Sequence, residues 1–242
     1  MMKRLNLFRA FRHLLPLLSC LALLSCDDGN IVETYIHSAE GRSVHLTATL
    51  TGHQSWASGY ELALAGFSEE SDYAAILLVV RPDADGIVDI TMEGIPEEVT
   101  CVELCAVNTL RQRVATFAKI DGDALRTKYT IDFAVGTFHA SMFAAIQRSV
   151  FNTTCVGCHR ATESAAGLPL TDGSAYEALV GKPSKKDAAL LLVEPGNAAA
   201  SMLYRALTTD VSSTWRYDHT AELTSDRTKH FIRDWMNAGA CE

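Results

Sequence analysis

Hydrophobic and polar positions alternate with the period of a β-strand over the first half of the chain. Turn residues separate the alternating runs between about residue 31 and residue 134, as is usual for short strands. The stretch 82–86 joins two of the runs as a hairpin turn would. About seven short strands in about 100 residues predict a β-sandwich, immunoglobulin-like or similar. The runs are VHLTATL, YELALAGF, AAILLVV, IVDITM, TCVELCAV and RVATFAKI.

After Gly136 the pattern changes to the period of a helix. Met142, Phe143, Ile146 and Val150 recur at helical spacing and predict an amphipathic helix that ends near Phe151. Later helices are predicted over residues 174–180, 198–207 and 225–238, the last with Thr224 as N-cap and Gly239 just beyond its end. The expected fold class is therefore α+β and multi-domain, with an all-β sandwich over residues 26–135 and an all-α domain over residues 136–242.

The amino terminus has the form of a signal peptide over residues 1–25. A basic stretch precedes the apolar run 14–24, which is too short to span a bilayer, since a span takes about 20 apolar residues. Residues 23–26, LLSC, resemble the bacterial lipobox, in which a peptidase cuts before a diacylated cysteine. We therefore predict lipidation at Cys26. Cys20 is a second candidate inside the apolar run, and plain secretion is the alternative.

Charge excludes one class of partner. The chain has 21 Lys and Arg against 29 Asp and Glu, and the first 25 residues hold four of the basic groups and no acid. The remainder, with 17 basic residues against 29 acidic ones, repels phosphate backbones and anionic headgroups. We expect no nucleic-acid binding, and we expect membrane attachment to be hydrophobic or covalent.

The segment 155–159 reads CVGCH, the Cys-x-x-Cys-His pattern of c-type haem attachment. Two thiols in one turn can add to the two vinyl groups of a porphyrin edge, and the adjacent imidazole can reach the iron. A thioredoxin-like redox pair would need a βαβ context, and a zinc knuckle a second ligand pair. Neither context is present in the sequence, so we predict Cys155 and Cys158 as attachment sites and His159 as an iron ligand.

Three further cysteines, Cys101, Cys105 and Cys241, are an odd number for an oxidising compartment. One disulfide with one free thiol is possible. Cys101 and Cys105 could equally be small buried apolar residues.

The region around the motif resembles the small class I-like cytochrome c domains of bacterial exported proteins and lipoproteins. The resemblance covers residues 138–241. It implies an all-α fold in which the first and last helices cross around one covalent haem c, with Cys155 and Cys158 as thioether sites and His159 as proximal ligand. The segments that carry it are FNTTCVGCH, AGLPLTDGSAYEALVGKPS, LLLVEPGNAAASMLYRAL and LTSDRTKHFIRDWMNAGA.

The chain departs from this family at the sixth ligand. Family members commonly carry Arg-Met-Pro before the last helix, whereas residues 216–220 read RYDHT. His219 stands where the distal ligand is expected, and an imidazole pair would lower the reduction potential. Met202 is the alternative ligand. A solvated His219 with a five-coordinate or water-bound iron is the third possibility.

Together these features predict a lipid-anchored mono-haem c-type cytochrome that transfers electrons outside the cytoplasm to a redox partner protein. We expect it in the bacterial cell envelope, on the periplasmic or surface face of the outer membrane, with the inner membrane as the second choice. An electron carrier is favoured over an enzyme. The alternatives are a surface binding or structural lipoprotein with a haem-handling or sensing role, and a peroxidase-like enzyme with an open distal site.

Overall fold

A computed structural model describes residues 41–126, 130–210 and 217–242. The predicted signal peptide, residues 1–25, and the predicted lipidation at Cys26 lie outside the described residues. In the part of the chain that is described, no helix is long and apolar enough to cross a membrane.

The described residues before Ala140 form seven strands in two sheets. A three-stranded sheet has the order β4-β1-β7, with β1 antiparallel to β4 and parallel to β7. A four-stranded antiparallel sheet has the order β3-β2-β5-β6. Each of the six alternating runs overlaps one strand. The bounds are Arg42–Thr51 (β1), Tyr60–Phe67 (β2), Ile76–Val79 (β3), Ile87–Ile95 (β4), Cys101–Asn108 (β5), Arg113–Asp121 (β6) and Thr130–His139 (β7).

Strand β1 shows why the alternation produces this arrangement. Its apolar residues Val44, Leu46, Ala48 and Leu50 are buried, while the residues between them are only half-buried. Side chains of a strand point alternately to its two faces, so one face of β1 lies on the core. The central strands β2 and β5 are instead buried on both faces.

The residues after Ala140 form short helices. Ser141 caps the first one by accepting from the Ala144 N–H, and this helix continues as a π-helix whose last bond joins the Asn152 N–H to the Gln147 carbonyl at 2.8 Å. The bounds are Met142–Ile146 (α1), the π-helix Gln147–Phe151, Ala175–Leu179 (α2), Met202–Thr208 (α3) and Asp226–Asn237 (α4), with 3-10 turns at Cys155–Gly157, Ala165–Gly167, Ala198–Ala200 and His219–Ala221.

The last helix, α4, begins one residue later than the sequence predicts. Its N-cap is Ser225, whose hydroxyl accepts from the Thr228 N–H at 3.3 Å, and the prediction of Thr224 is wrong. At the other end Gly239 has φ 105°, which a residue without Cβ adopts at little cost. The Ala240 N–H then bonds to the Trp235 carbonyl at 3.0 Å.

The predicted fold class, an immunoglobulin-like sandwich followed by an all-α cytochrome c-like domain, is wrong. The described residues form two sheets and four α-helices, three of them of five to seven residues, and strand outweighs helix. Glycine and proline at 181, 183, 195 and 196 interrupt the helical pattern, since neither sustains a helix interior. The chain between α2 and α3 makes isolated β-bridges instead, at Val180↔Val193, Pro183↔Leu191 and Leu191↔Ser201.

The helices and the sheets share one hydrophobic core. The indole of Trp56 stacks on Phe231 of α4 with ring centroids 6.1 Å apart, and Tyr60 lies 5.1 Å from the same ring. The hydroxyl of Tyr60 donates to Asp234 at 2.9 Å, and the Trp56 indole N–H donates to the Ala140 carbonyl at 2.8 Å. The boundary predicted after residue 135 falls inside β7, and everything described after residue 40 belongs to one compact unit.

Candidate functional site

The Cys-x-x-Cys-His segment directly follows the π-helix. Two hydrogen bonds to the Cys155 carbonyl, from the N–H of Cys158 at 3.2 Å and from that of His159 at 2.9 Å, wind the motif into a 3-10 turn. Cys155 is half-buried and Cys158 is exposed, and both are separate thiols. The turn therefore offers two thiols and an imidazole from one short piece of backbone.

The ring of His159 is oriented by a backbone carbonyl. Its Nδ1 lies 2.8 Å from the carbonyl oxygen of Leu168. A carbonyl only accepts hydrogen bonds, so Nδ1 is the donor, and in the neutral imidazole the lone pair then lies on Nε2. This is the form in which a histidine binds a metal ion, with the second nitrogen held by an outer partner.

His219 stands at the start of a 3-10 turn that Asp218 caps. The Asp218 carboxylate accepts from the Thr220 N–H at 2.9 Å and from the Thr220 hydroxyl at 2.6 Å. The His219 ring lies with its centroid 6.3 Å from that of His159, and the planes are inclined by 40°. The structure thus brings together two histidines that are far apart in the sequence.

This separation is a test of whether the site fits an iron porphyrin. An imidazole nitrogen binds a metal ion at about 2.0 Å and lies about 1.2 Å from its ring centre, so two imidazoles on opposite sides of one ion have centres about 6 to 6.5 Å apart. The observed 6.3 Å falls in this range. The separation therefore meets one requirement for His159 and His219 to bind a single haem iron between them.

The environment of the thiols bears on the alternatives. Burial, and then the nearby Glu222 carboxylate, raise the pKa of Cys155 to about 11. A redox-active thiol pair needs the opposite, a thiolate stabilised by a lowered pKa. Zinc would need three or four protein ligands, and no group of three His, Cys, Asp or Glu that could hold a metal ion exists among the described residues.

Tyr217 and Glu222 complete the surroundings of His219. The Tyr217 ring meets the imidazole edge-on, with centroids 5.1 Å apart and planes at 75°, and its hydroxyl donates to the Glu222 carboxylate. Burial, and then the proximity of His159, lower the pKa of His219. The neutral imidazole, which is the form that binds a metal ion, is thereby favoured.

The alternative ligand, Met202, is buried at the start of α3, where its N–H donates to the Leu191 carbonyl at 2.8 Å. The ring contact with His159 is made by His219. Residues 215 and 216, just before this loop, lie outside the described residues.

The other cysteines are separate thiols as well. Cys101 and Cys105 both lie in β5, and Cys241 is exposed near the end of the chain. Cys105 packs in a small apolar cluster on the outer face of its sheet, and burial raises its pKa.

Sequence reasoning missed two partners of the site. One is the Leu168 carbonyl, which no side-chain pattern can reveal because every residue carries one. The other is Glu222, three residues after His219, which the sequence analysis did not single out. The glutamate becomes visible only when the loop brings it beside Tyr217 and Cys155.

Comparison of the chain with protein-family models, with curated proteins and with solved structures finds no match.

Proposed function

We propose that the protein is a mono-haem c-type cytochrome that transfers electrons outside the cytoplasm. Cys155 and Cys158 would hold the haem through thioethers, and His159 and His219 would occupy its axial positions. The observation that carries this proposal is the 6.3 Å separation of two imidazole rings, one of which belongs to the only Cys-x-x-Cys-His motif of the chain.

Haem held in this way supplies a one-electron couple between ferrous and ferric iron. The chain's own residues prepare the site for that task. The Leu168 carbonyl holds the proton on Nδ1 of His159, and Asp218 fixes the turn that presents His219. His159 and His219 would together occupy the positions that a substrate or a gas would need, which favours electron transfer over catalysis or gas binding.

Attachment to a membrane is a separate part of the proposal. Haem is joined to such motifs outside the cytoplasm, where the predicted signal peptide and the lipid on Cys26 would place the protein. Acyl chains on one cysteine, together with an acylated amine, give stable anchoring. The proposed location is the bacterial cell envelope, and the partner is a redox protein that docks near the haem.

The test compares visible spectra of the protein, produced with haem-attachment machinery, with those of His219→Ala and Met202→Ala. We expect a low-spin spectrum for the parent protein and for Met202→Ala, and a high-spin spectrum for His219→Ala. A high-spin Met202→Ala protein with a low-spin His219→Ala protein would transfer the distal role to the methionine.

Carbon monoxide separates this function from an enzyme with an open site. A firmly six-coordinate iron resists carbon monoxide in the reduced form, so we expect slow binding to the parent protein and fast binding to His219→Ala. Fast binding to the parent protein would contradict the electron-transfer proposal and favour a peroxidase-like or sensing role.

A further inference from the structure

Residues 217–222, which we call the distal strap, form a closed loop around His219. The Tyr217 hydroxyl at the start of the strap donates to the Glu222 carboxylate at its end. Within the strap, Asp218 caps the 3-10 turn His219–Ala221 through two bonds to Thr220. The strap is therefore held by its own polar side chains.

Tyr217 is a large aromatic residue on the surface of the molecule. It is 46% exposed, so burial of its ring gains little. The ring instead lies edge-on against the His219 imidazole, at 5.1 Å between centroids. An edge-on aromatic contact is favourable and directional, so it limits the rotation of the imidazole.

We propose that Tyr217 is a positioning residue for His219, which closes the strap on Glu222 and holds the imidazole toward His159. This inference rests on the proposed function, because the purpose of the held imidazole is to remain on the iron in both oxidation states. If haem is held there, loss of the Tyr217–Glu222 bond would let His219 turn away from His159, and an external ligand would then bind more readily. Tyr217 would thereby slow ligand exchange at the site.

The first experiment measures the rate of carbon monoxide binding to the reduced haem protein. Tyr217→Phe keeps the ring and removes the hydroxyl, and we expect binding about tenfold faster, as the loss of one charge-assisted hydrogen bond implies. Tyr217→Ala, which also loses the ring contact, should bind faster still. Glu222→Gln keeps a neutral acceptor for the hydroxyl, so its rate should lie between those of the parent protein and Tyr217→Phe.

Tyr176→Phe is the matched control. The Tyr176 hydroxyl donates to the Ala240 carbonyl at 3.0 Å, away from the strap, so its removal should leave the rate unchanged. If haem is attached, His219→Ala turns high-spin, and yet Tyr217→Phe binds carbon monoxide at the parent rate, the positioning role is wrong while the proposed function stands.

The second experiment needs no haem. In the full chain produced without attachment machinery, the NMR signals of the His219 ring protons report the contact with the Tyr217 ring. We expect these signals to move in Tyr217→Phe and Tyr217→Ala and to stay in place in Tyr176→Phe. Unmoved signals in both Tyr217 variants would overturn the inference. Moved signals in a protein that never takes up haem would support the positioning role and defeat the proposed function.

Discussion

The strand half of the molecule, residues 41–139, and the helical half, residues 140–242, reach order by different means. Strands of up to ten residues pair in ladders with few register shifts, and both faces of β2 and β5 are buried. Among the described residues of the helical half, only α4 exceeds seven residues. Such short helices are not stable by themselves and depend on tertiary packing.

This difference shows where the helical half obtains its stability. Part comes from the sheets, through the stack of Trp56 on Phe231 and the bond from Tyr60 to Asp234. Part comes from side chains that tie loops, such as Asn237, whose amide oxygen accepts from the Ala198 N–H at 2.9 Å. In our proposal, covalent haem adds a third contribution near Cys155 and His159.

The largest expected effect tests whether the two halves fold together. Phe231→Ala removes a fully buried ring at their contact, and we expect a loss of about 3–5 kcal/mol in the free energy of unfolding. Urea unfolding followed by circular dichroism and by tryptophan fluorescence should show both halves unfolding in one transition, at a lower midpoint.

Phe67→Ala is the control, because Phe67 is fully buried within the strand half and should cost a similar amount. A Phe231→Ala protein whose helices melt well before its sheets would contradict the shared core.

A series of ion pairs and hydrogen bonds between polar side chains also connects the two halves. The more buried of these contacts should contribute more to stability. The Glu103 carboxylate, 4% exposed, accepts from Arg113 and from Thr116 at 2.6 Å each, and Asp72 then joins Arg113 to Arg227 of α4. We expect Glu103→Gln to cost about 1.5–3 kcal/mol in unfolding free energy, since it weakens a buried charge-assisted bond.

Asp72→Asn provides the contrast. Its carboxylate is 43% exposed, and its ion pairs are screened by water, so the cost should stay below about 1 kcal/mol. Equal losses of unfolding free energy in Glu103→Gln and Asp72→Asn would mean that burial does not determine how much these contacts contribute.

A substitution at the end of α4 should change stability less than Phe231→Ala or Glu103→Gln. Gly239→Ala places a Cβ on a residue with φ 105°, and we expect a loss of about 1 kcal/mol in unfolding free energy. Gly122→Ala, whose new Cβ would lie in ordinary contact with the Thr100 carbonyl at 3.4 Å, should change stability by less than about 0.5 kcal/mol. Thermal unfolding of both variants checks the difference, and a neutral Gly239→Ala would rule out the strained turn.

The smallest effect concerns His45, on the three-stranded sheet. Hydrogen bonds to Asp89, at 2.8 Å, and to Asp132, at 3.3 Å, raise its pKa above the ordinary value of 6.5. The folded state therefore holds the proton more tightly, and this stabilisation is full below pH 6.5 and is lost as the pH rises through the raised pKa. The stability difference between the parent protein and His45→Asn should shrink over that window.

Asp89→Asn combined with Asp132→Asn serves as the control, because it removes the two carboxylates that raise the pKa of His45. In that background His45→Asn should lose most of its pH dependence. The stability difference between the parent protein and His45→Asn should be measured from pH 5 to pH 9, about two units on each side of neutrality. A constant difference over that range would show that the two carboxylates do not hold the proton on His45.

The strands could be located from the sequence because alternation leaves a local signal, as in Val44, Leu46, Ala48 and Leu50 of β1. The shared core could not, because the contact of Trp56 with Phe231 joins residues distant in the chain. The helix lengths were overestimated for a related reason. Apolar spacing at 198–207 fits one helix, but the Ser201 hydroxyl donates to the Asn197 carbonyl and accepts from the Glu194 N–H, so the chain turns before α3.

The candidate site likewise contains residues that the sequence could predict and contacts that only the fold creates. The spacing of Cys155, Cys158 and His159 is local and therefore readable, and the position of His219 in a loop before the last helix made it a candidate. The strap contact between Tyr217 and Glu222 depends on the folded path of the loop.

The most direct test of the account is the intact mass of the protein produced with haem-attachment machinery, measured after acid–acetone extraction and compared with that of Cys155→Ser/Cys158→Ser. The account predicts that the parent protein is heavier than the double variant by one haem, beyond the change from the two substitutions. Equal masses after that correction would contradict covalent attachment, and the protein would then have to act without haem c.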